Sequence, residues 1–256
     1  MGDDVPAAAT TQQALSFGQA ADVYERSRPG YPAAALDWLL PPAARAVVDV
    51  GAGTGKLTRQ LVGRGLAVAA VEPDDAMRLV LERLVPQARA LAGTGEALPL
   101  PEGCADAVLY AQSWHWVDAT AAAAEAARVL APGGRLCLLW NLRDSRVDWI
   151  AELDEILAGA GASQDSMAAH PGLPGFAAFE SHQVTWEHRL PIELLPDLVA
   201  SRSYVILLPD ARREALLARV RDLVATHPEL AGRPEVSVPY VTWCERAERS
   251  GSPTGR

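Results

Sequence analysis

The chain predicts an α/β fold, a doubly wound, mostly parallel sheet of seven strands with a helical insertion before the last strand. Three observations lead there. From Arg45 onward, short apolar runs alternate with stretches of helical periodicity, the order that builds a parallel sheet with helices on both faces. The first run, Ala46-Val-Val-Asp-Val50, ends in glycines at 51, 53 and 55 and passes into Lys56–Val62, where Leu57, Leu61 and Val62 share a helical face. After residue 145 the pattern turns helical for a long stretch before a last alternating run. A strand, a glycine turn and a helix in that order form the ligand crevice of open α/β sheets. Glycine lets the backbone turn sharply and approach a ligand without a β-carbon in the way.

Taken in order, Met1–Ala14 is small and polar and is expected to be disordered. Phe17–Leu40 reads as a loop entering a helix at Pro32, where proline suits the first turn. Strands are expected at Arg45–Val50, Ala67–Glu72, Ala88–Ala92, Ala105–Ala111 and Leu136–Asn141. The helix after the second strand is capped by Asp74 or Asp75 and carries Ala76, Met77, Val80, Leu81 and Leu84 on one face. A helix from about Asp118 to Leu130 stops before Pro132-Gly133-Gly134. Val147–Leu157, Leu194–Leu208 and Ala211–Ala225 read as helices, Ala160–Gly175 as a mobile connection, and Phe179–Leu190 and Val236–Arg246 as strands. The tail from Ala247 is polar and expected to be loose. No repeat or linker stands out, so residues 1–256 are expected to form one domain, with a core over about 32–145 and the insertion and last strands over about 146–246.

Composition narrows the function. Hydrophobic residues make up 49% and charged residues 21%, ordinary for a globular protein. A net charge of -9 argues against nucleic acid as the main partner, because phosphate binding needs clustered lysine and arginine. Arg212, Arg213, Arg219 and Arg221 share their stretch with Glu214 and Asp222 and read as a solvated helix face. Cys104, Cys137 and Cys244 have neither metal-ligand spacing nor a disulfide framework, which suits a reducing cytoplasm. No apolar run reaches membrane-spanning length. His170, His182, His188 and His227 share no spacing, so no metal site is expected.

Two cofactors compete for the glycine loop. The dinucleotide fingerprint needs a glycine at its sixth position, and Lys56 stands there. The spacing of Gly51, Gly53 and Gly55 with Asp49 two residues before resembles motif I of the class I S-adenosylmethionine-dependent methyltransferases. A second acid, Glu72, ends the next apolar run, where it can accept both ribose hydroxyls of a nucleoside cofactor. The likeness widens over Tyr24-Glu-Arg-Ser-Arg-Pro-Gly-Tyr-Pro32, Gly93-Thr-Gly-Glu-Ala-Leu-Pro99, Ala111-Gln-Ser-Trp-His-Trp116 and Leu130-Ala-Pro-Gly-Gly134. On these segments the chain is similar to the type 11 methyltransferases, and within them to a subgroup resembling trans-aconitate methyltransferase.

The resemblance implies a Rossmann-like fold whose last strand is antiparallel, S-adenosyl-L-methionine as cofactor, and methyl transfer to a small-molecule acceptor such as a carboxylate. It assigns Asp49 and the backbone of Gly51, Ala52, Gly53 and Gly55 to the cofactor's amino acid end. Glu72 falls to the ribose, Pro73 to the flank of the adenine, Thr94, Gly95 and Glu96 to the adenine edge, and Gln112 to the same cofactor site. Many relatives have an acid where Thr94 stands, and Glu96 reads equally as an exposed loop acid. Tyr24, Arg28, Tyr31, Trp114 and Trp116 are expected around the acceptor, although core packing or a helix-entry turn explains several of them equally well. His115 is the candidate general base, with a hydrogen-bonded structural histidine as the alternative. An NAD(P)-dependent oxidoreductase and a non-catalytic cofactor-binding protein are the competing readings.

Overall fold

The computed structural model describes residues 28–160 and 172–250. The expectations for Met1–Ala14, Tyr24, His170 and most of the Ala160–Gly175 connection lie outside the described residues. In chain order the elements are α1 (Ala33–Leu39), β1 (Ala46–Val50), α2 (Lys56–Gly63), β2 (Ala67–Val71), α3 (Asp75–Leu84), β3 (Arg89–Leu91), β4 (Ala105–Ala111), α4 (Ala119–Val129) and β5 (Leu130–Arg143). There follow α5 (Asp148–Gly159), β6 (Glu180–Pro191), α6 (Leu195–Ala200), α7 (Ser203–Ile206), α8 (Asp210–Thr226) and β7 (Glu235–Glu248).

The strands form one seven-stranded sheet in the order β3-β2-β1-β4-β5-β7-β6. β1 pairs in parallel with β2 and β4, β2 with β3, and β4 with β5. β7 runs antiparallel to β5, since Gly134 faces Arg249 (N–O 2.8 Å) while Asp144 faces Pro239 (3.0 Å). Chain order reverses between β1 and β4, and ligands bind at such a switch point, beyond the carboxyl ends of the strands. The register aligns those ends: Val50 lies level with Val71 and Tyr110, and Val71 with Leu91. Gly51, Glu72 and Gln112 therefore follow the strand ends along one edge of the sheet.

Local chemistry explains most boundaries. β1 is buried along nearly its whole length, as a central parallel strand with both faces covered must be. The Asp74 side chain caps α3 by accepting from Met77 N at 2.9 Å, and Asp118 caps α4 by accepting from Ala121 N at 2.8 Å. In α8, Leu216, Val220 and Leu223 are buried, with Leu217 and Val224 half-buried beside them. Its arginines form the solvated face expected of them, Arg213 pairing with Asp210 (2.7 Å) and Arg221 with Glu214 (2.9 Å).

Four expectations need correction. β5 begins at Leu130, because Leu130 already pairs with Ala105 and residues 131–134 bulge out before Arg135 pairs with Ala107. The stretch Leu194–Leu208 is two short helices, broken at Ser201-Arg202. On α3, Ala76 and Leu84 are exposed, and the buried stripe runs through Met77 and Leu81 to Val85. The strand at the end reaches Glu248, with Ala247 buried, so order extends beyond the point where the sequence turns polar.

By its contacts the chain divides into two compact units. One comprises Gly30–Asn141, Met167–Val184 and the chain from Thr242; the other comprises the chain up to Pro29, Leu142–Ser166 and Thr185–Val241. The first has a core that includes Leu36, Leu39, Val47, Leu61, Leu109, Cys137 and Cys244. The second has its own, in which α5, α6 and α8 contribute Ile150, Leu153, Leu195, Leu216 and Val220 around Tyr240. Among the described residues no helix is long and apolar enough to cross a membrane. Leu109 is fully buried on β4, level with Asp49. Leu109→Ala is expected to lower stability by roughly 2–5 kcal/mol, the range for a buried leucine whose cavity cannot collapse, measured by urea denaturation.

Candidate active site

The turn after β1 is built by three glycines that serve different ends. All have positive φ, +68° at Gly51, +57° at Gly53 and +91° at Gly55. A β-carbon on Gly51 would lie 2.6 Å from Ser113 Cβ, and one on Gly55 would press Val85 and Leu81 at 3.1 and 3.2 Å. One on Gly53 would meet only Met77 Sδ, at 3.6 Å. Gly51 and Gly55 are thus required by packing, while a β-carbon at the buried Gly53 would make only an ordinary contact, so its positive φ alone asks for glycine there.

Two acids anchor this turn. Asp49, level with Ala70 and Leu109 in the middle of the sheet, is buried. Its Oδ2 accepts from Thr58 Oγ1 at 2.6 Å, while Oδ1 is buried with no hydrogen-bond partner among the described residues. Glu72 follows β2 and joins two turns: Oε2 accepts from Gly53 N at 2.7 Å and Oε1 from Asp74 N at 2.9 Å. Neither Asp49 nor Glu72 pairs with a lysine or arginine side chain among the described residues. Burial lifts Asp49 to about 6, against the lowering effect of Thr58. It lifts Glu72 to about 7, against its two backbone donors and assisted by the nearby charges of Asp74 and Asp49.

The segment after β4 supplies the facing side. Gln112 has φ +59°, the one positive value at a non-glycine residue among those described. Such strain persists only where the surroundings impose it, and it gathers at functional sites. Here Gln112 N donates to Leu139 O at 2.9 Å and Nε2 to Asn141 O at 3.1 Å. Asn141 is itself held, its Nδ2 donating to Gly30 O (3.0 Å) and its Oδ1 accepting from Thr242 Oγ1 (2.6 Å). Gln112 Oε1 is buried with no partner among the described residues. Ser113 Oγ donates to Val50 O at 2.6 Å and ties this segment to the glycine turn. Trp114 is buried edge-on against Tyr110, with ring centres 4.7 Å apart, whereas His115 and Trp116 are half-buried and touch each other at 4.7 Å.

The remaining candidates separate. Thr94 is exposed; Gly95 is buried, where a β-carbon would lie 2.8 Å from Val117 and 3.1 Å from Tyr110. Glu96 Oε1 accepts from Asp118 N at 2.9 Å, so the structure gives this acid the task of closing the entry to α4. Pro73 is half-buried beside Glu72. Tyr31 packs in the core with Leu36 and Leu61, its backbone clamped on both sides by the Gln60 amide (2.8 and 2.7 Å). Arg28 belongs to the other unit, where it donates to Ser201 Oγ at 3.0 Å and Ser201 O at 3.2 Å. Sequence reasoning singled out neither Thr58 nor Thr242, and took in Ser113 and Asn141 only as members of segments at the ends of β4 and β5. Thr58 and Ser113 carry a faint signal in their positions, one turn into α2 and just past β4.

Residues 48–138 match the family model described as "Methyltransferase domain". The chain is 53% identical over 234 residues to an uncharacterised methyltransferase of Mycobacterium tuberculosis strain H37Rv, covering 91% of this chain and 95% of the relative. It is 30% identical to a methyltransferase-like protein of Schizosaccharomyces pombe, over 88% of this chain and 92% of that one. The chain belongs to the methyltransferases. A solved protein of Anaeromyxobacter dehalogenans assigned to the type II methyltransferases superposes with a TM-score of 0.65 at 25% identity, over 87% of this chain and 97% of that chain. Membership decides between the cofactors considered for the glycine loop: this is an S-adenosylmethionine-dependent methyltransferase. The residues present fit that cofactor. Two buried acceptors without partners among the described residues, Asp49 Oδ1 and Gln112 Oε1, suit its ammonium and hydroxyl donors.

Two predictions follow from this methyltransferase site. Gly53→Ala is expected to lower stability by about 1–2 kcal/mol, the left-handed backbone penalty alone, and to weaken cofactor binding. Gly51→Ala is expected to lower stability further through its clash with Ser113, as read from urea midpoints alongside calorimetry. Asp49 and Glu72 hold their protons more tightly in the folded chain than at their ordinary values of 3.8 and 4.5. Their contribution to the stability of the cofactor-free protein is present in full below those values and is lost as pH rises through about 6 and 7. Asp49→Asn is expected to make that decline shallower, and an unchanged slope would contradict the burial of its charge.

Proposed function

We propose that the chain transfers a methyl group from S-adenosyl-L-methionine to a carboxylate of a small-molecule acceptor. The observation that carries the cofactor assignment is the buried Oδ1 of Asp49, which has no hydrogen-bond partner among the described residues, on the strand that leads into the glycine turn. The carboxylate acceptor is supported by the likeness of the segments around Tyr24–Pro32 and Ala111–Trp116 to enzymes of that kind. The unbridged Cys104, Cys137 and Cys244 accord with a cytoplasmic setting.

When bound, the cofactor supplies a methyl group already activated on a sulfonium. Asp49 would take the ammonium, a charge-assisted contact that also relieves the expense of burying its own charge. Glu72 would take the ribose hydroxyls on the lone pairs left by Gly53 N and Asp74 N, since a carboxylate offers about four acceptor positions. Gln112 Oε1 would take a further donor, Pro73 would flank the adenine, and Thr94 and the backbone at Gly95 would face its edge. Trp114, held rigidly by Tyr110, and the half-buried pair His115–Trp116 would exclude water from the reacting atoms. A carboxylate is anionic at neutral pH and gives up no proton on methylation, so this reading assigns His115 to pocket shape rather than proton transfer.

Glu72→Ala is expected to weaken S-adenosylmethionine binding by about 1.5–3 kcal/mol, the worth of a charged hydrogen bond, measured by calorimetry with circular dichroism as a check on folding. His115→Asn is expected to lower turnover less than about tenfold and to leave its pH dependence flat between about 6 and 8. Loss beyond about a hundredfold, together with disappearance of a titration step near neutral pH, would establish a general base and move the acceptor toward a hydroxyl or an amine.

A further inference from the structure

Asn141 and Thr242 are buried polar residues that stand opposite each other on β5 and β7, in the register set by Gly134 and Arg249. With Gly30 and Gln112 they belong to the compact unit that carries the glycine turn. Other buried positions on these two strands, Cys137, Leu139 and Cys244, are apolar core. A polar group in such a place costs stability unless its bonds are made, and here they are made in one orientation only. Gly30 O can only accept, so it fixes Asn141 Nδ2 on its side (3.0 Å), and Oδ1 then accepts from Thr242 Oγ1 at 2.6 Å. With its side chain held on both sides, Asn141 presents its carbonyl to Gln112 Nε2 at 3.1 Å. That carbonyl too can only accept, so it orients the Gln112 amide and leaves Oε1 on the far side, buried and without a partner among the described residues. Gln112 N donates to Leu139 O at 2.9 Å, and the backbone then turns out of the sheet at φ +59°. The Gln112 side chain thus carries on to Asn141 the ladder that its own backbone ends at Leu139.

We propose that Asn141, backed by Thr242, is a positioning residue of this methyltransferase, acting through Gln112 to hold a hydrogen-bond acceptor for the cofactor's ammonium. The order of the sheet selects that end of the cofactor. Glu72, assigned to the ribose, follows β2, and Gln112 follows β4, two strands away across β1. Strands lie about 4.8 Å apart, so about 10 Å separates the two strand ends. A residue at that remove faces the amino acid end rather than the ribose or the adenine, and at that end only the ammonium donates. A buried acceptor held in place receives a cation without reorganising, whereas a flipped amide would turn its two N–H donors toward the positive charge. The orientation is therefore what needs holding, and Asn141 holds it. Neither Asn141 nor Thr242 touches the reacting atoms in this scheme. Their task rests on the reading of Gln112 as a cofactor residue given above.

The test uses the full chain and calorimetry with two ligands. S-adenosylhomocysteine keeps the ammonium; methylthioadenosine keeps the nucleoside and lacks the amino acid end. Q112M removes the amide at similar length and is expected to weaken S-adenosylhomocysteine binding about tenfold or more, and methylthioadenosine binding less than about twofold. T242V removes the hydroxyl at unchanged size and is expected to weaken S-adenosylhomocysteine binding about threefold or more while sparing methylthioadenosine. T242S, which keeps the donor, is expected to bind both like the wild type. In the Q112M background T242V is expected to add less than about twofold, because the amide through which Thr242 acts is gone. Should T242V or Q112M fail to fold, T242C, with a weaker donor, or Q112G, which suits the left-handed backbone, takes its place. A T242V that binds S-adenosylhomocysteine like the wild type, weakens both ligands alike, or costs as much with Q112M as without it overturns the proposal. If Q112M itself binds S-adenosylhomocysteine like the wild type, the reading of Gln112 falls and the positioning role with it. A loss in Q112M with none in T242V upholds Gln112 and overturns the role of Asn141 alone.

Discussion

The burial of Asp49 and Glu72 without a cationic partner is the constraint around which the rest of the site is arranged. Each sits at or just past the carboxyl end of a central parallel strand, where neighbouring strands and helices exclude water. A carboxylate so placed stays ionised only if hydrogen-bond donors replace its hydration. Thr58 supplies one for Asp49; the backbones of Gly53 and Asp74 supply two for Glu72. Both groups remain far above their ordinary range because these donors recover only part of the lost solvation. Neither has a lysine or arginine partner among the described residues, so the cost of burying their charge stays with the protein.

Glu72 also carries mechanical weight. By bonding Gly53 N and Asp74 N it couples the turn after β1 to the entry of α3, and Asp74 in turn caps that helix through Met77 N. On the opposite flank, Asn141 connects Gly30, Gln112 and Thr242, which holds Gln112 in a conformation a non-glycine residue ordinarily avoids. Ser113 then closes the gap to β1 through Val50 O, and its Cβ is the reason position 51 admits only glycine. The glycine turn is thus held by Glu72 through Gly53 N and packed by Ser113 at Gly51 and by Val85 and Leu81 at Gly55.

Much of this was legible in the sequence. The seven strands, the two acids and the three glycines follow from local pattern, and the resemblance of their spacing to a known motif pointed to the cofactor and to the family that the comparisons establish. The signal was weaker where a residue's task depends on something distant in the chain. Glu96 read as a cofactor acid or an exposed loop acid, and its bond to Asp118 N was not visible; Tyr31 read as a pocket residue or part of a helix-entry turn, and its packing with Leu36 and Leu61 was not visible. Thr58, Asn141 and Thr242 gave little or no sign, because an isolated polar residue on a helix or strand is common and only its partner makes it informative. The early start of β5 misled for the same reason: Pro132-Gly133-Gly134 reads as a stop, yet the strand bulges around it because Leu130 finds Ala105.

Sequence alone determined the order of elements, the glycine turn and the acids that flank it, because hydrophobic period and backbone permissiveness act over a few residues. Tertiary structure decided which glycines packing fixes, which acid accepts from a helix entry, and which arginine meets a carboxylate. Arg143 and Arg202 look alike in the chain and each meets a tyrosine hydroxyl; they differ because Asp154 lies beside Arg143. Burial and pairing depend on which distant segments meet, and a buried charge takes its meaning from what those segments bring to it.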